Sequence, residues 1–125
     1  MQQTAFDSRD QYNQIAPMVL PDETLFAVFD CKGAGTGFIG ITNKRLIFYD
    51  KVFMAKRKAM VSVPYRMVTE VGSVDEGRGT FGIGTSSVLV VKSASSAHVF
   101  EFRGGDKAQR AYLLIMRELL QNEPT

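Results

Sequence analysis

Four cations fall within eight residues, at Lys51, Lys56, Arg57 and Lys58, with Phe53 and Met54 among them. That mixture suits an anionic surface. The charges meet headgroups, and the phenyl and thioether side chains dip into the headgroup layer. Each cation near such a surface contributes about 1 kcal/mol, so the four reach about 4 kcal/mol, equivalent to roughly millimolar affinity. One copy would not hold a membrane, whereas several copies on one assembly would, by avidity. The plainer reading of the same residues is a solvated hairpin tip whose charges keep the protein in solution.

Other candidate chemistry is weaker. Gly77-Arg78-Gly79-Thr80-Phe81-Gly82 has G-x-G-x-x-G spacing. The dinucleotide fingerprint needs a helix after those glycines to hold the pyrophosphate. A strand pattern at 87–92 follows instead, so the stretch reads as a glycine-rich β-loop. His98 is the single histidine and Cys31 the single cysteine. A zinc site takes three or four ligands, mostly of those two types, so no metal is expected. No G-x-S-x-G elbow recruits His98, and the carboxylates are scattered over turns and helix surface. Cys31 reads as a passive strand-end thiol, because nothing near it in sequence would lower its pKa. The expectation is a protein without catalytic residues or cofactor, and not an enzyme.

Composition sets the frame for these residues. A chain of 125 residues is expected to form one domain around one core. Fifteen Lys and Arg against thirteen Asp and Glu leave a net charge of +2, too small to imply nucleic acid. A lone cysteine excludes an intramolecular disulfide and fits a reducing compartment. No apolar run approaches the ~20 residues that span a bilayer, and the polar N-terminus has no signal-peptide core. These features lead to the expectation of a soluble cytoplasmic protein, peripheral to the membrane if the 51–58 stretch binds there.

The elements that must position these residues are mostly strands. Residues 1–19 predict a short helical arm, with Ser8 and Gln11 in capping-box spacing and Pro17 ending the helix. A frayed tail is the competing reading. Residues 24–30 are apolar on both faces (Leu25, Phe26, Val28, Phe29), so this strand is buried on both sides or covered by the arm. At 37–50 two apolar runs flank Thr42-Asn43-Lys44. Ile39 and Ile41 alternate with Gly40 and Thr42, and Leu46 and Phe48 follow after the turn, the pattern of a β-hairpin. Further strands are predicted at 60–63, 68–75 (with a bulge at Gly72), 87–92 and 97–103. In the last, His98, Phe100 and Phe102 face one way. Seven short strands without intervening helices imply antiparallel connections. Gly104-Gly105 ends the strands, and Asp106 with Gln109 is expected to cap a helix at 105–121.

On that helix Tyr112, Ile115, Met116 and Leu119 make the predicted core stripe. Tyr112-Leu113-Leu114-Ile115-Met116 is a continuous apolar run, so it must cover more than one face. Leu114 falls between Arg110 and Arg117 on the expected water face, with Leu113 and Leu120 flanking it. Three leucines on adjoining lines, rimmed by Arg110, Arg117 and Gln121, form a patch of the kind that marks an interface. They predict a homo-oligomer. The alternative is that the N-terminal arm folds back over them.

The hairpin Gly37-Phe38-Ile39-Gly40-Ile41-Thr42-Asn43-Lys44-Arg45-Leu46-Ile47-Phe48-Tyr49-Asp50 resembles the second and third strands of bacterial pleckstrin-homology (PH) domains and the related GRAM domains. In those families a strand ends in Thr and a Lys/Arg-Arg-Leu step opens the next. By element order the resemblance covers about residues 20–122. It implies a mainly β fold, a PH-like barrel of two near-orthogonal antiparallel sheets with a C-terminal helix. Residues 20–125 would form that domain, preceded by the 1–19 arm. It also implies a non-enzymatic binding or scaffold module whose partner is a second copy, another protein or an anionic membrane. PH domains that bind phosphoinositides carry basic residues on the first two strands and the loop between. Here that loop offers only Lys32, and the charge sits at 51–58 instead.

Overall fold

Strand β3 (Thr36–Thr42) and strand β4 (Arg45–Asp50) form the predicted hairpin, with Ile41 opposite Leu46 and Ile39 opposite Phe48. Its turn is closed by the Thr42 hydroxyl, which accepts from the backbone N–H groups of Lys44 and Arg45, each at 3.0 Å. The computed structural model describes residues 3–32, 36–50, 59–75, 86–94 and 96–121. The basic stretch 51–58 and most of the glycine-rich stretch 77–86 therefore lie outside the described residues.

The hairpin is the middle of a five-stranded sheet ordered β1-β2-β3-β4-β5, where β1 is Ala5–Phe6, β2 is Leu25–Asp30 and β5 is Met60–Pro64. Strands β6 (Val68–Asp75), β7 (Ser86–Ser93) and β8 (Ala97–Arg103) form a second, antiparallel sheet. Helix α2 (Lys107–Gln121) follows. The main core lies among both sheets and this helix and includes Phe29, Phe48, Leu89, Phe100, Phe102 and Ile115. Phe29 meets Phe102 and Phe48 meets Phe100 edge-on, at centroid separations of 6.1 and 5.1 Å. Such pairs contribute about 0.5–1.5 kcal/mol each beyond their buried area.

The described residues form eight strands rather than seven. The extra one, β1, lies in the arm that was expected to be wholly helical, and it pairs parallel to β2. Its two residues complete the β2 edge, fixed by Thr4 Oγ1 donating to the Leu25 carbonyl at 2.8 Å. After β1 the arm turns into α1 (Arg9–Ile15), capped by Ser8 Oγ, which accepts from Gln11 N at 3.4 Å. The capping box is half formed, because the Gln11 amide donates to Asp30 Oδ1 at 2.7 Å instead of reaching back.

Helix α1 covers the outer face of the five-stranded sheet and builds a second core of Ile15, Leu25, Val28, Phe38 and Ile47. That cover explains why β2 is apolar on both faces. Gly40 makes the contact possible: a Cβ there would stand 2.9 Å from both Cδ1 and Cγ2 of Ile15. Gly40→Val is expected to lift α1 off the sheet at a cost of about 1–3 kcal/mol. Trypsin should then cut at Arg9 while the body stays folded. Unchanged protection at Arg9 would count against this packing.

Two further details differ from the expected ones. The irregularity in β6 falls between Val68 and Glu70, while Gly72 pairs regularly with Val90. The first turn of α2 takes its cap from another element. Ser87 Oγ, on β7, accepts from Ala108 N at 3.0 Å and donates to the Gly104 carbonyl at 2.8 Å.

Candidate functional site

The residues that make the hairpin distinctive converge on a buried polar clasp. Glu23, from the turn before β2, receives the Arg45 guanidinium on both oxygens, Nε to Oε2 at 2.9 Å and Nη2 to Oε1 at 3.0 Å. The Thr42 hydroxyl donates to Oε2 at 2.6 Å, and Leu20 N donates to Oε1 at 3.0 Å. Arg45 also reaches the Met18 carbonyl at 2.7 Å and Ser62 Oγ at 3.1 Å. The Tyr65 hydroxyl donates to the Thr42 carbonyl at 2.6 Å. Burial pushes the Tyr65 phenol well up, reinforced by the charges of Glu118 and Glu23. Burial also tends to raise Glu23, but hydrogen bonds from Arg45, Thr42 and Leu20 outweigh it and bring the carboxyl to about 2. Every oxygen of this carboxylate is occupied by the chain itself. The clasp ties the arm, β3, β4 and β5 together and offers nothing to a ligand.

The face of α2 is different. The helix buries Ala108, Ala111, Ile115 and Glu118, a line rolled away from the expected stripe of Tyr112, Ile115, Met116 and Leu119. The two alanines are small enough to bring the helix close to the sheets, and the roll follows from that. Tyr112 and Leu119 are half-buried against the main core. Leu114, expected on the water face, is also half-buried against it, whereas Leu113 and Leu120 are 58% and 63% exposed. Among the described residues the N-terminal arm leaves both exposed, and α1 packs on the far side of the five-stranded sheet.

Beside Leu113 runs a groove of about 570 Å³ between α2 and the β1–β2 edge, with Phe26, Phe29, Leu114, Arg110 and Arg117 in its lining. The guanidinium of Arg110 lies 5.3 Å from the Phe29 ring centre and that of Arg117 5.3 Å from the Phe26 ring centre. Stacking of this kind orients the planar fork. Lys107, also over Phe29, is held by Asp7 Oδ1 at 2.7 Å. A smaller cavity of about 210 Å³ opens on the other side of Leu113, lined by Ser73, Val74 and Gln109 among others.

Lys51, Phe53, Met54, Lys56, Arg57 and Lys58 lie outside the described residues. His98 packs its ring on Phe48 at 5.1 Å, and Cys31 is buried in the main core. Among the described residues no three His, Cys, Asp or Glu side chains come together to hold a metal ion, and no helix is long and apolar enough to cross a membrane. The sequence marks Phe26 and Phe29 only as strand residues, and the tertiary structure adds their place in the groove. The available signal was the spacing of Arg110, Leu113, Leu114 and Arg117, which puts all four on one helix face.

A barrel of two sheets followed by one helix, with a Thr-x-x-Arg hairpin at its centre, can be compared with known families. The family model described as "Bacterial PH domain" matches residues 19–112. This chain belongs to the bacterial PH domain family. No curated protein matches it. Its fold is similar to that of a solved pleckstrin homology domain from Shewanella amazonensis SB2B, with a TM-score of 0.63 and 20% identity over 91% of this chain and 99% of that one. It is also similar to a protein with a pleckstrin-homology domain from Shewanella loihica PV-4, with a TM-score of 0.59 and 22% identity over 95% and 99% of the two chains. Within this PH domain the family-like hairpin residues Thr42 and Arg45 belong to the clasp. The open surface lies on α2, which the family match covers only as far as Tyr112.

Proposed function

We propose that this PH domain is a non-enzymatic binding module that self-assembles through the solvent face of α2. The observation that carries the reading is the pair Leu113 and Leu120, seven residues apart and more than half exposed. Large apolar side chains in such a row favour a protein contact. A two-fold contact of α2 against α2 would bring Arg110 and Arg117 of one copy towards the same cations of the other, which is unfavourable. A head-to-tail contact avoids that repulsion and generates rings or open arrays. The test is light scattering at tens of micromolar on the wild type and on Leu113→Ser/Leu120→Ser. Leu114 is left unchanged because its packing would confound the result with stability. The expected outcome is a wild-type multimer and a smaller double variant. A wild-type monomer refutes self-assembly, and a multimer that survives the double change refutes the surface.

A second reading rests on the four cations at 51–58. It makes the domain a peripheral binder of anionic membranes from the cytoplasmic side. Changing Lys51, Lys56, Arg57 and Lys58 together to Gln should then abolish low-salt cosedimentation with anionic vesicles and leave the thermal midpoint nearly unchanged.

A further inference from the structure

We infer that the groove between α2 and β2 binds an acidic amphipathic helix of a partner protein. The inference goes beyond self-assembly: it concerns the flank of α2 that faces β2, lined by Arg110, Leu114 and Arg117, whereas the self-assembling row runs through Leu113 and Leu120. Four α2 side chains line the groove: Arg110, Leu113, Leu114 and Arg117. Their order, Arg-x-x-Leu-Leu-x-x-Arg, is the same read in either direction. It sets two apolar side chains between two arginines whose backbone positions are about 10.5 Å apart along the axis, at the α-helical rise per residue.

Both charged residues in the lining are cations. Arg117 is ion-paired with Glu118, Nε to Oε2 at 3.5 Å. Glu118 itself is buried on the core side of the helix. Lys107, beyond the end of this row, is neutralised by Asp7. With both ion pairs counted, the rim keeps one positive charge in excess, at Arg110. Arg110 lies over Phe29 and Arg117 over Phe26, and a guanidinium beside a ring keeps its N–H fork for a carboxylate. A helix carrying acidic residues seven apart, with two apolar residues at the third and fourth positions after the first, presents the complementary face. It can lie antiparallel or parallel to α2, with its apolar pair on Phe26, Leu113 and Leu114.

A second copy fits less well. Its own long helix repeats the same cations, and α1 has seven residues with one acidic side chain, Asp10. An anionic membrane surface fits less well too, because both guanidiniums lie over rings along a trough rather than projecting from a convex tip.

The test is fluorescence anisotropy with a labelled, end-capped helical peptide of 16 residues. The peptide has two glutamates seven apart and leucines at the third and fourth positions between them. The full chain is titrated at low micromolar concentration in 50 mM salt. Saturable binding is expected, weakened about tenfold by Arg110→Gln/Arg117→Gln or by glutamine in place of the two glutamates. Arg110→Glu/Arg117→Glu should prefer the same peptide with lysines in place of the glutamates. All these positions are exposed, so the variants should keep the wild-type thermal midpoint. Binding that ignores the charges on either side overturns the inference, as does the absence of binding. Equally, it falls if the arginine variants lose anionic vesicles, or lose self-assembly, while the peptide is ignored. A monomer that binds the peptide refutes self-assembly alone, and a multimer that ignores it refutes this inference alone.

Discussion

Glu23→Gln is expected to destabilise the domain by about 3–5 kcal/mol at pH 7, the usual cost of breaking a buried ion pair by removing one partner. The carboxylate has four donors: two nitrogens of Arg45, the Thr42 hydroxyl and Leu20 N–H. A carboxamide can meet some of them with its oxygen, but its NH2 group then faces a donor. The same site makes stability depend on pH. Glu23 falls from an ordinary 4.5 to about 2 in the folded chain. A carboxyl depressed by folding contributes stability that is fully present above 4.5 and disappears as pH falls through 2. A difference of about 2.5 pH units corresponds to roughly 3.5 kcal/mol, at about 1.4 kcal/mol per unit. Urea unfolding at pH 7, 4.5, 3 and 2 should show wild type and Glu23→Gln converging across that window. Parallel curves, or equal midpoints at pH 7, would mean that the clasp contributes little.

Ile115→Asp is expected to cost about 4 kcal/mol or more, enough to leave little folded protein at 37 °C. Ile115 is fully enclosed in the main core, so the new carboxylate would lose its hydration among apolar side chains. Leu113→Asp, two residues earlier on the same helix, should shift stability by no more than about 0.5 kcal/mol, because that side chain already faces water. Leu119→Asp should fall between them, since Leu119 is half-buried against the core. Thermal unfolding of the three variants measures the roll of α2 directly. If Leu113→Asp proved the costliest, the helix would be turned the other way and the groove would not exist as described.

Much of this architecture can be read from local sequence. Period-2 alternation at 37–50 and 97–103 encodes strands and their inward faces, because a pleated strand sends successive side chains to opposite sides. Thr42-Asn43-Lys44 encodes its turn, because the hydroxyl of Thr42 meets N–H groups two and three residues ahead. The doubly apolar β2 reveals that something covers it, and the continuous apolar run in α2 reveals that one face does not satisfy all its leucines.

Only the tertiary structure decides which partner meets each face. Glu23 reads as a turn residue until the fold carries it to Arg45, 22 residues away. Ser87 reads as a strand residue until it caps a helix 21 residues later. The arm reads as helix alone, but β2 has an open edge, and backbone pairing draws Ala5–Phe6 into it. The roll of α2 is likewise beyond local periodicity. An apolar run is consistent with several orientations, and the fold selects the one in which Ala108 and Ala111 allow the closest approach. That choice takes Leu114 inward, leaves Leu113 outside, and lays Arg110 and Arg117 over the rings of β2. The groove depends on residues from the arm, β2 and α2, which lie far apart in the chain, so it exists only once packing has set their separation.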